Sequence, residues 1–323
     1  MCTAITFSTN GHYFGRNLDF EHDFGECVVI MPRNYPLPYR YNTTDKHHFA
    51  MIGMALVEDN YPLYFDATNE YGLSMAGLYF PGNAVYLPYN ENLDNITPFE
   101  FIPWILSQCR DISQAMDLLN HLNLVDTPFS DKYSLSPLHW IIADTNKAIT
   151  VEPVKDGIKI YDNPVGVLTN NPTFDFHMHN LTNYMNLTSQ EPINRFAPDL
   201  AMEPYSRGMG AIGLPGDLSS ASRFVRAAFV KMNSVNDNTE YSAINQFFHI
   251  LKSVEQQNGC AKIGDLYEKT IYTNCCNTDK GIYYYTTYDN SQITGINMHH
   301  TDLDGELLSV FPLVTTQQIQ MLN

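Results

Sequence analysis

The second residue of the chain is a cysteine, in MCTAITFSTNGHYFGRNLDF, and Arg16 and Asp19 follow it within the same stretch. Small second residues generally permit removal of the initiator methionine, so Cys2 can become the first residue and carry a thiol and a free α-amine together. An α-amine titrates at roughly 7.7–8.0, so a useful fraction of it is a neutral base near physiological pH. It can take the thiol proton directly or through a water, the logic of a nucleophile activated by an adjacent base. A thiol titrates near ~8.5, and a neighbouring positive charge lowers that value. If the stretch folds back on itself, Arg16 can favour the thiolate and Asp19 can hold the ammonium. By spacing alone, Cys2 reads equally well as a small buried residue near a surface Arg/Asp pair.

The elements that must position these residues are legible from pattern. TAITFST and HYFGRNLDF are β-rich runs joined across Asn10-Gly11, a strong hairpin signal. ECVVIMPR, HHFAMIGMAL, YPLYFDAT and GLSMAGLYF continue as strands. PFEFIPWILSQC and DISQAMDLLNHLN have helical spacing, the second with Asp111 as its N-cap. LHWIIAD, AITVEPV, GIKIYD and VGVLTN return to strands. Two amphipathic helices follow, SSASRFVRAAFVKMNSV and YSAINQFFHILKSVEQQNG, the latter expected to close at Gly259. KTIYTNCC, GIYYYTTYD, SQITGIN and ELLSVFPLV complete the strands. Strand blocks separated by helix pairs point to an α+β arrangement of two stacked antiparallel sheets with helices outside. No GxGxxG, P-loop or Gly-x-Ser-x-Gly motif is present.

Composition narrows the partners. The 323 residues, 44% hydrophobic, can bury a large core, and no linker-like tract divides them. One domain over 2–323 is expected. A formal net charge of −17 argues against nucleic acid and against an anionic membrane surface. Neither a signal peptide nor an 18-residue apolar run is seen. The six cysteines are scattered without zinc-site spacing, which fits a reduced cytoplasm. His47-His48, His177-x-His179 and His299-His300 lack companion ligands, so no metal is expected. Glu21 with Asp23 could suggest a glycosidase pair, but such pairs are common among 35 acidic residues.

MCTAITF, FGRNLDFE, NEYGLSMAGLYFPG, FEFIPWIL, SPLHWIIAD, NPVGVLTNNPTFDFH, GLPGDLSSASRF and YDNSQIT together closely resemble the choloylglycine hydrolase family of N-terminal-nucleophile (Ntn) hydrolases. That group includes bile salt hydrolases and penicillin V acylases. The likeness runs in order from residue 2 to about residue 315. It implies an αββα sandwich, hydrolysis of a linear amide without metal or other cofactor, and a homotetramer. Cys2 matches the nucleophile, Arg16 and Asp19 its flanking residues, and Arg223 the second active-site arginine. The Asn170-Asn171 pair in VLTNNP matches the oxyanion-hole amide, and the reading leans to Asn171. In GLYFPG, Tyr79 matches a position whose backbone N–H, by the same resemblance, is expected to serve the oxyanion hole. Bile salt hydrolases resembling this chain carry asparagine there, whereas tyrosine is the pattern of penicillin V acylases. Tyr79 therefore makes penicillin V acylase the first expectation and conjugated bile salt hydrolase the second, with an inactive ligand-binding relative as the different-class alternative. Phe20, Phe24, Tyr61, Phe65 and Tyr133 are the candidates to line an apolar acyl pocket.

Overall fold

A computed structural model describes residues 1–323. Its first quarter forms β1 (Cys2–Thr9), β2 (Gly11–Phe20), β3 (Cys27–Met31), β4 (Met51–Glu58), β5 (Tyr61–Asn69) and β6 (Ser74–Tyr79). A short β7 (Asp94–Ile96), helices α1 (Phe101–Leu106) and α2 (Ile112–Leu119), and β8 (Leu122–Leu124) follow. Next come β9 (Leu138–Ala143), β10 (Ala148–Val154), β11 (Gly157–Asp162), β12 (Val167–Leu168) and α3 (Phe174–Leu181). Helices α4 (Ser220–Met232) and α5 (Glu240–Lys252) precede β13 (Ala261–Ile263), β14 (Leu266–Asn277), β15 (Ile282–Thr287), β16 (Asn290–Asn297) and β17 (Ser309–Pro312).

The strands make two large sheets. One runs β12-β1-β2-β14-β15-β16, with β13 on β14; the other runs β11-β10-β9-β6-β5-β4-β3-β17. Every pairing within these two sheets is antiparallel, and the small β7–β8 pair is parallel. Helices α4 and α5 cover the outer face of the first sheet, and α1 packs on β5 and β6 of the second. The layers are thus helix, sheet, sheet, helix, the expected αββα sandwich. Because β2 has a helix layer on one face and a sheet on the other, eight of its ten residues are buried without alternation.

Local chemistry accounts for the elements. Gly11 turns the β1–β2 hairpin at φ +115°, a conformation that costs glycine little. The α2 N-cap is Asp111, whose carboxylate accepts from Gln114 N at 2.9 Å, as the sequence predicts. Ser219 and Thr239 cap α4 and α5 in the same manner. Two expectations fail. Helix α5 ends at Lys252, and Gly259, at φ +99°, shapes a later turn instead of capping it. The segment Phe174–Leu181, given no element from sequence, is helix α3. No helix is long and apolar enough to cross a membrane.

Candidate active site

Register alone decides which face each residue of the hairpin serves. Cys2 pairs with Leu18 and Ala4 with Arg16, so Cys2 and Arg16 are diagonal neighbours on one face. That face looks into the space between the sheets. Thr3 pairs with Asn17 on the opposite face, under the helices, where Asn17 donates to Leu251 O of α5 at 3.0 Å. Asp19 shares that parity, which is why the guanidinium beside its carboxylate comes from α4.

The thiol is almost fully buried, 4% exposed, and Arg16 Nη2 lies 2.6 Å from Cys2 Sγ. Arg16 is held by two carbonyls of the facing sheet: Nη1 donates to Phe65 O at 3.1 Å and to Gly77 O at 2.5 Å. Burial works against its charge, but Cys2, Tyr272, Asp66 and Asp19 outweigh that and leave its pKa raised. The guanidinium is therefore a fixed cation against the sulfur, where a thiolate would carry its charge.

The backbone nitrogen of Cys2 is equally constrained. It donates to Asn170 Oδ1 at 2.7 Å, and that oxygen also accepts from Arg223 Nη2 at 2.8 Å. Arg223, buried at the start of α4, further donates through Nη1 to Thr3 Oγ1 at 2.6 Å and to Cys2 O, and through Nε to Leu218 O at 3.0 Å. Burial lowers its pKa, opposed by Asp19 and Cys2. Asp19 Oδ1 accepts from Thr270 Oγ1 at 2.6 Å, while Oδ2 is buried without a hydrogen-bond partner, 4.0 Å from Arg223 Nη1. Burial raises the Asp19 carboxyl, with Arg223 the largest opposing influence.

The structure includes Met1. Its ammonium donates to Asp19 O at 2.7 Å and pairs with the buried carboxylate of Glu268. Burial lowers the pKa of this amine. With Met1 removed, the nitrogen now bound to Asn170 Oδ1 becomes the free α-amine of Cys2.

Of the two asparagines, it is Asn170 that reaches the cysteine. Its Nδ2 donates to Tyr79 O at 2.7 Å, whereas Asn171 Nδ2 turns away to Pro81 O, so the leaning toward Asn171 is corrected. Tyr79 ends β6 where β5 no longer pairs with it, and its side chain is 42% exposed. In an antiparallel ladder a residue's N–H and C=O leave on the same side. Phe80 N bonds Pro137 O, so the Tyr79 amide points away from β9, toward the side where its carbonyl meets Asn170.

Three of the five aromatic candidates lie together. Phe20 and Phe24 have ring centroids 4.8 Å apart, and Phe24 and Phe65 5.4 Å, beside the carbonyl that holds Arg16. Tyr61 and Tyr133 do not join them. Tyr61 packs with Phe99 and Phe129 on the outer side of the second sheet, and Tyr133 donates to Glu58 Oε2 at 2.9 Å. The β5 bulge, where Met54 pairs with Asp66 but Ala55 with Tyr64, lies between Phe65 and Asp66, and Tyr61 sits away from it at the β4–β5 turn, opposite Glu58.

Comparison with known proteins places this geometry. A family model described as linear amide C-N hydrolases, choloylglycine hydrolase family, matches residues 2–311. The chain belongs to the choloylglycine hydrolase family. Choloylglycine hydrolases being linear amide hydrolases, this chain is an amide C–N hydrolase by membership. A bile salt hydrolase/transferase of Lactiplantibacillus plantarum is 52% identical over 324 residues, covering 100% of both chains. Another, from Clostridium perfringens, is 36% identical over 332 residues at 100% of each. Among solved structures, a variant of the conjugated bile acid hydrolase from Clostridium perfringens superposes with a TM-score of 0.93 at 36% identity over 100% of both chains. A penicillin V acylase from Agrobacterium tumefaciens gives a TM-score of 0.75 at 17% identity, covering 98% of this chain and 92% of its own. At that identity it speaks for the fold alone. The preference for penicillin V drawn from Tyr79 is therefore not supported, and the second expectation gains.

Asp66, Thr270, Glu268 and Ser220, which escaped the sequence reading, complete the surroundings with His177, read there only as a rejected metal ligand. Ser220 Oγ accepts from Asn170 N at 2.8 Å, and His177 Nε2 donates to Asn170 O at 2.9 Å. Their one available signal was position, since Ser220 lies in the SSAS turn and His177 follows Asn-Asn-Pro.

Proposed function

We propose that this chain is a conjugated bile salt hydrolase that cleaves the amide joining a bile acid to glycine or taurine. The full-length 52% identity to a bile salt hydrolase/transferase carries the substrate class. What supports the mechanism is Cys2, with a guanidinium 2.6 Å from its sulfur and its nitrogen 2.7 Å from Asn170.

In this reading, removal of Met1 frees the Cys2 amine. The amine takes the thiol proton, and the thiolate, beside Arg16, attacks the amide carbon. A carbon–sulfur bond forms and the carbonyl π pair moves to oxygen. Asn170 Nδ2 has a second hydrogen beyond the one given to Tyr79 O, and with the Tyr79 N–H it supplies two donors for that oxyanion. The unpartnered Oδ2 of Asp19 is a buried acceptor that the new ammonium would satisfy. The ammonium returns a proton to the leaving nitrogen, the carbon–nitrogen bond breaks, and glycine or taurine departs. Water, deprotonated by the same amine, then hydrolyses the thioester. Phe20, Phe24 and Phe65 offer the steroid an apolar wall.

The deciding measurement is amine release from glycocholate, taurocholate and penicillin V, with protein whose N-terminal mass shows Met1 gone. Faster release from a bile salt is expected. If penicillin V is cut faster than both bile salts, the substrate assignment fails while the Cys2 chemistry stands. If no amide is cut, the chemistry fails too.

A further inference from the structure

A buried carboxylate stands behind Arg16, on the side away from the thiol. Asp66 of β5 is fully buried in the layer between the sheets. The β5 bulge puts it there: Phe65 and Asp66, consecutive residues, both serve the inner layer, while Tyr64 and Ala67 on either side pack in the outer core. Two phenols from the facing sheet clamp it, Tyr272 OH to Oδ2 at 2.6 Å and Tyr283 OH to Oδ1 at 2.7 Å. Asn274 Nδ2 donates to Oδ1 at 3.2 Å, and the same asparagine's Oδ1 accepts from Arg16 N at 2.8 Å. Arg16 in turn donates to the carbonyl of Phe65, the residue before Asp66. Asp66 is thus tied to Arg16 through both the asparagine and its own strand, without touching it.

Two tyrosine hydroxyls spent on one buried carboxylate are more than packing requires. Burial raises the Asp66 carboxyl, while Arg16 and the two phenols act to keep it ionised. Arg16 and Arg223 are the buried cations here, and the carboxyls of Asp19, Asp66 and Glu268 are buried beside them.

We propose that Asp66, clamped by Tyr272 and Tyr283, is a positioning residue for the reaction: the buried anion that fixes Arg16 and offsets its charge, so that the reactivity of Cys2 is set from across the sandwich. The inference rests on reading Cys2 as the nucleophile. Around Asp66 the charged or titratable groups are Arg16 of β2, Tyr272 and Cys276 of β14 and Tyr283 of β15. Around Cys2 they are Arg16 and Asp19 of β2, Arg223 of α4 and the terminal amine, beside which lies Glu268 of β14.

Alkylation by iodoacetamide across pH tests this without a substrate. The full chain with Met1 removed is used, and peptide mass spectrometry separates Cys2 from the exposed Cys260, the internal reference. Asp66→Asn leaves the Arg16 charge less compensated, so the thiolate forms more readily. The midpoint for Cys2 is expected about one pH unit lower, or about tenfold faster alkylation at fixed pH on the acid limb, as for one charge removed at short range. The Cys260 profile should not move. Should Asp66→Asn fail to fold, Tyr283→Phe takes its place, since losing one donor disfavours the anion and gives a smaller shift of the same sign. An unmoved or upward-shifted Cys2 midpoint in the folded variant overturns the proposal. If Cys2→Ala retains amide hydrolysis, it is the nucleophile reading that has failed, whatever the midpoints do.

Discussion

Cys2 and Arg16 face the neighbouring sheet while Thr3 and Asp19 face the helices, and that division of one hairpin gives the residue-scale predictions. Cys2→Ala removes the sulfur from a tightly packed place, at a stability cost of about 1–2 kcal/mol. Amine release should fall below detection while circular dichroism keeps its native shape; turnover above a few per cent of wild type would remove Cys2 from the mechanism. Asn170→Ala deletes both the anchor of the Cys2 nitrogen and the proposed oxyanion donor, so kcat should drop about 100-fold or more. Asn171→Ala removes only the bond to Pro81 O and should stay within about threefold; equal losses would mean the two side chains exchange roles in the processed enzyme. The residues at this centre were legible as types: the family likeness named Cys2, Arg16, Asp19, Arg223 and the asparagine pair. Which asparagine turns inward was not, because it depends on carbonyls of Tyr79 and Pro81 that lie some 90 residues away in sequence. Asp66 was invisible for a similar reason: its partners come from β14 and β15.

Elements were readable where periodicity is strong and hidden where geometry breaks it. The hairpin, α4 and α5 follow directly from turn chemistry and apolar spacing. Helix α3 was missed because FDFHMHNL is short and carries two histidines, but its role is specific. His177 of α3 and His139 of β9 hold the carbonyls of Asn170 and Thr169, at 2.9 and 2.8 Å. Carbonyls only accept, so each Nε2 carries the hydrogen. The other nitrogen of His139 then faces Glu152 Oε1 at 3.0 Å, which also accepts from Phe174 N at 3.0 Å. One additional proton shared between ring and carboxylate satisfies both partners. Both contacts fall on the one atom Oε1, and a glutamine oxygen there accepts from Phe174 N without donating to the ring, while its nitrogen does the reverse. Glu152→Gln should therefore lose one of the two and cost about 1–2 kcal/mol in urea unfolding. Glu152→Ala should cost about 2–4 kcal/mol and lower kcat through a loosened Asn170 turn. If Glu152→Gln unfolds at the wild-type urea concentration, the two hydrogen bonds do not share Oε1.

At the scale of the whole molecule, falling pH relieves the self-repulsion of a formal charge of −17 and suits the buried carboxyls, but it works against the buried histidines. Burial raises the carboxyls of Asp19, Asp66, Glu100 and Glu255, so these groups favour the folded state as they take up protons. Burial lowers His12 and His177 to about 4. A depressed folded value means the unfolded chain binds the extra proton, so this stability is complete above about pH 6.5 and is lost as pH falls toward 4. His12 isolates the effect, because it sits at the hairpin tip, opposite Ser8, far along the strand from Cys2. Its ring lies between Thr6 Oγ1 at 2.6 Å and Thr278 Oγ1 at 2.8 Å, with Asp279, Asp144 and Lys231 the charges that act on it. His12→Gln gives up the titration while keeping hydrogen-bonding capacity. Between pH 7.5 and 4.5 the urea-derived unfolding free energy of wild type should therefore fall by about 2 kcal/mol more than that of the variant. Parallel losses would mean that His12 is charged in the folded protein and that its hydroxyl partners, not burial, decide its state.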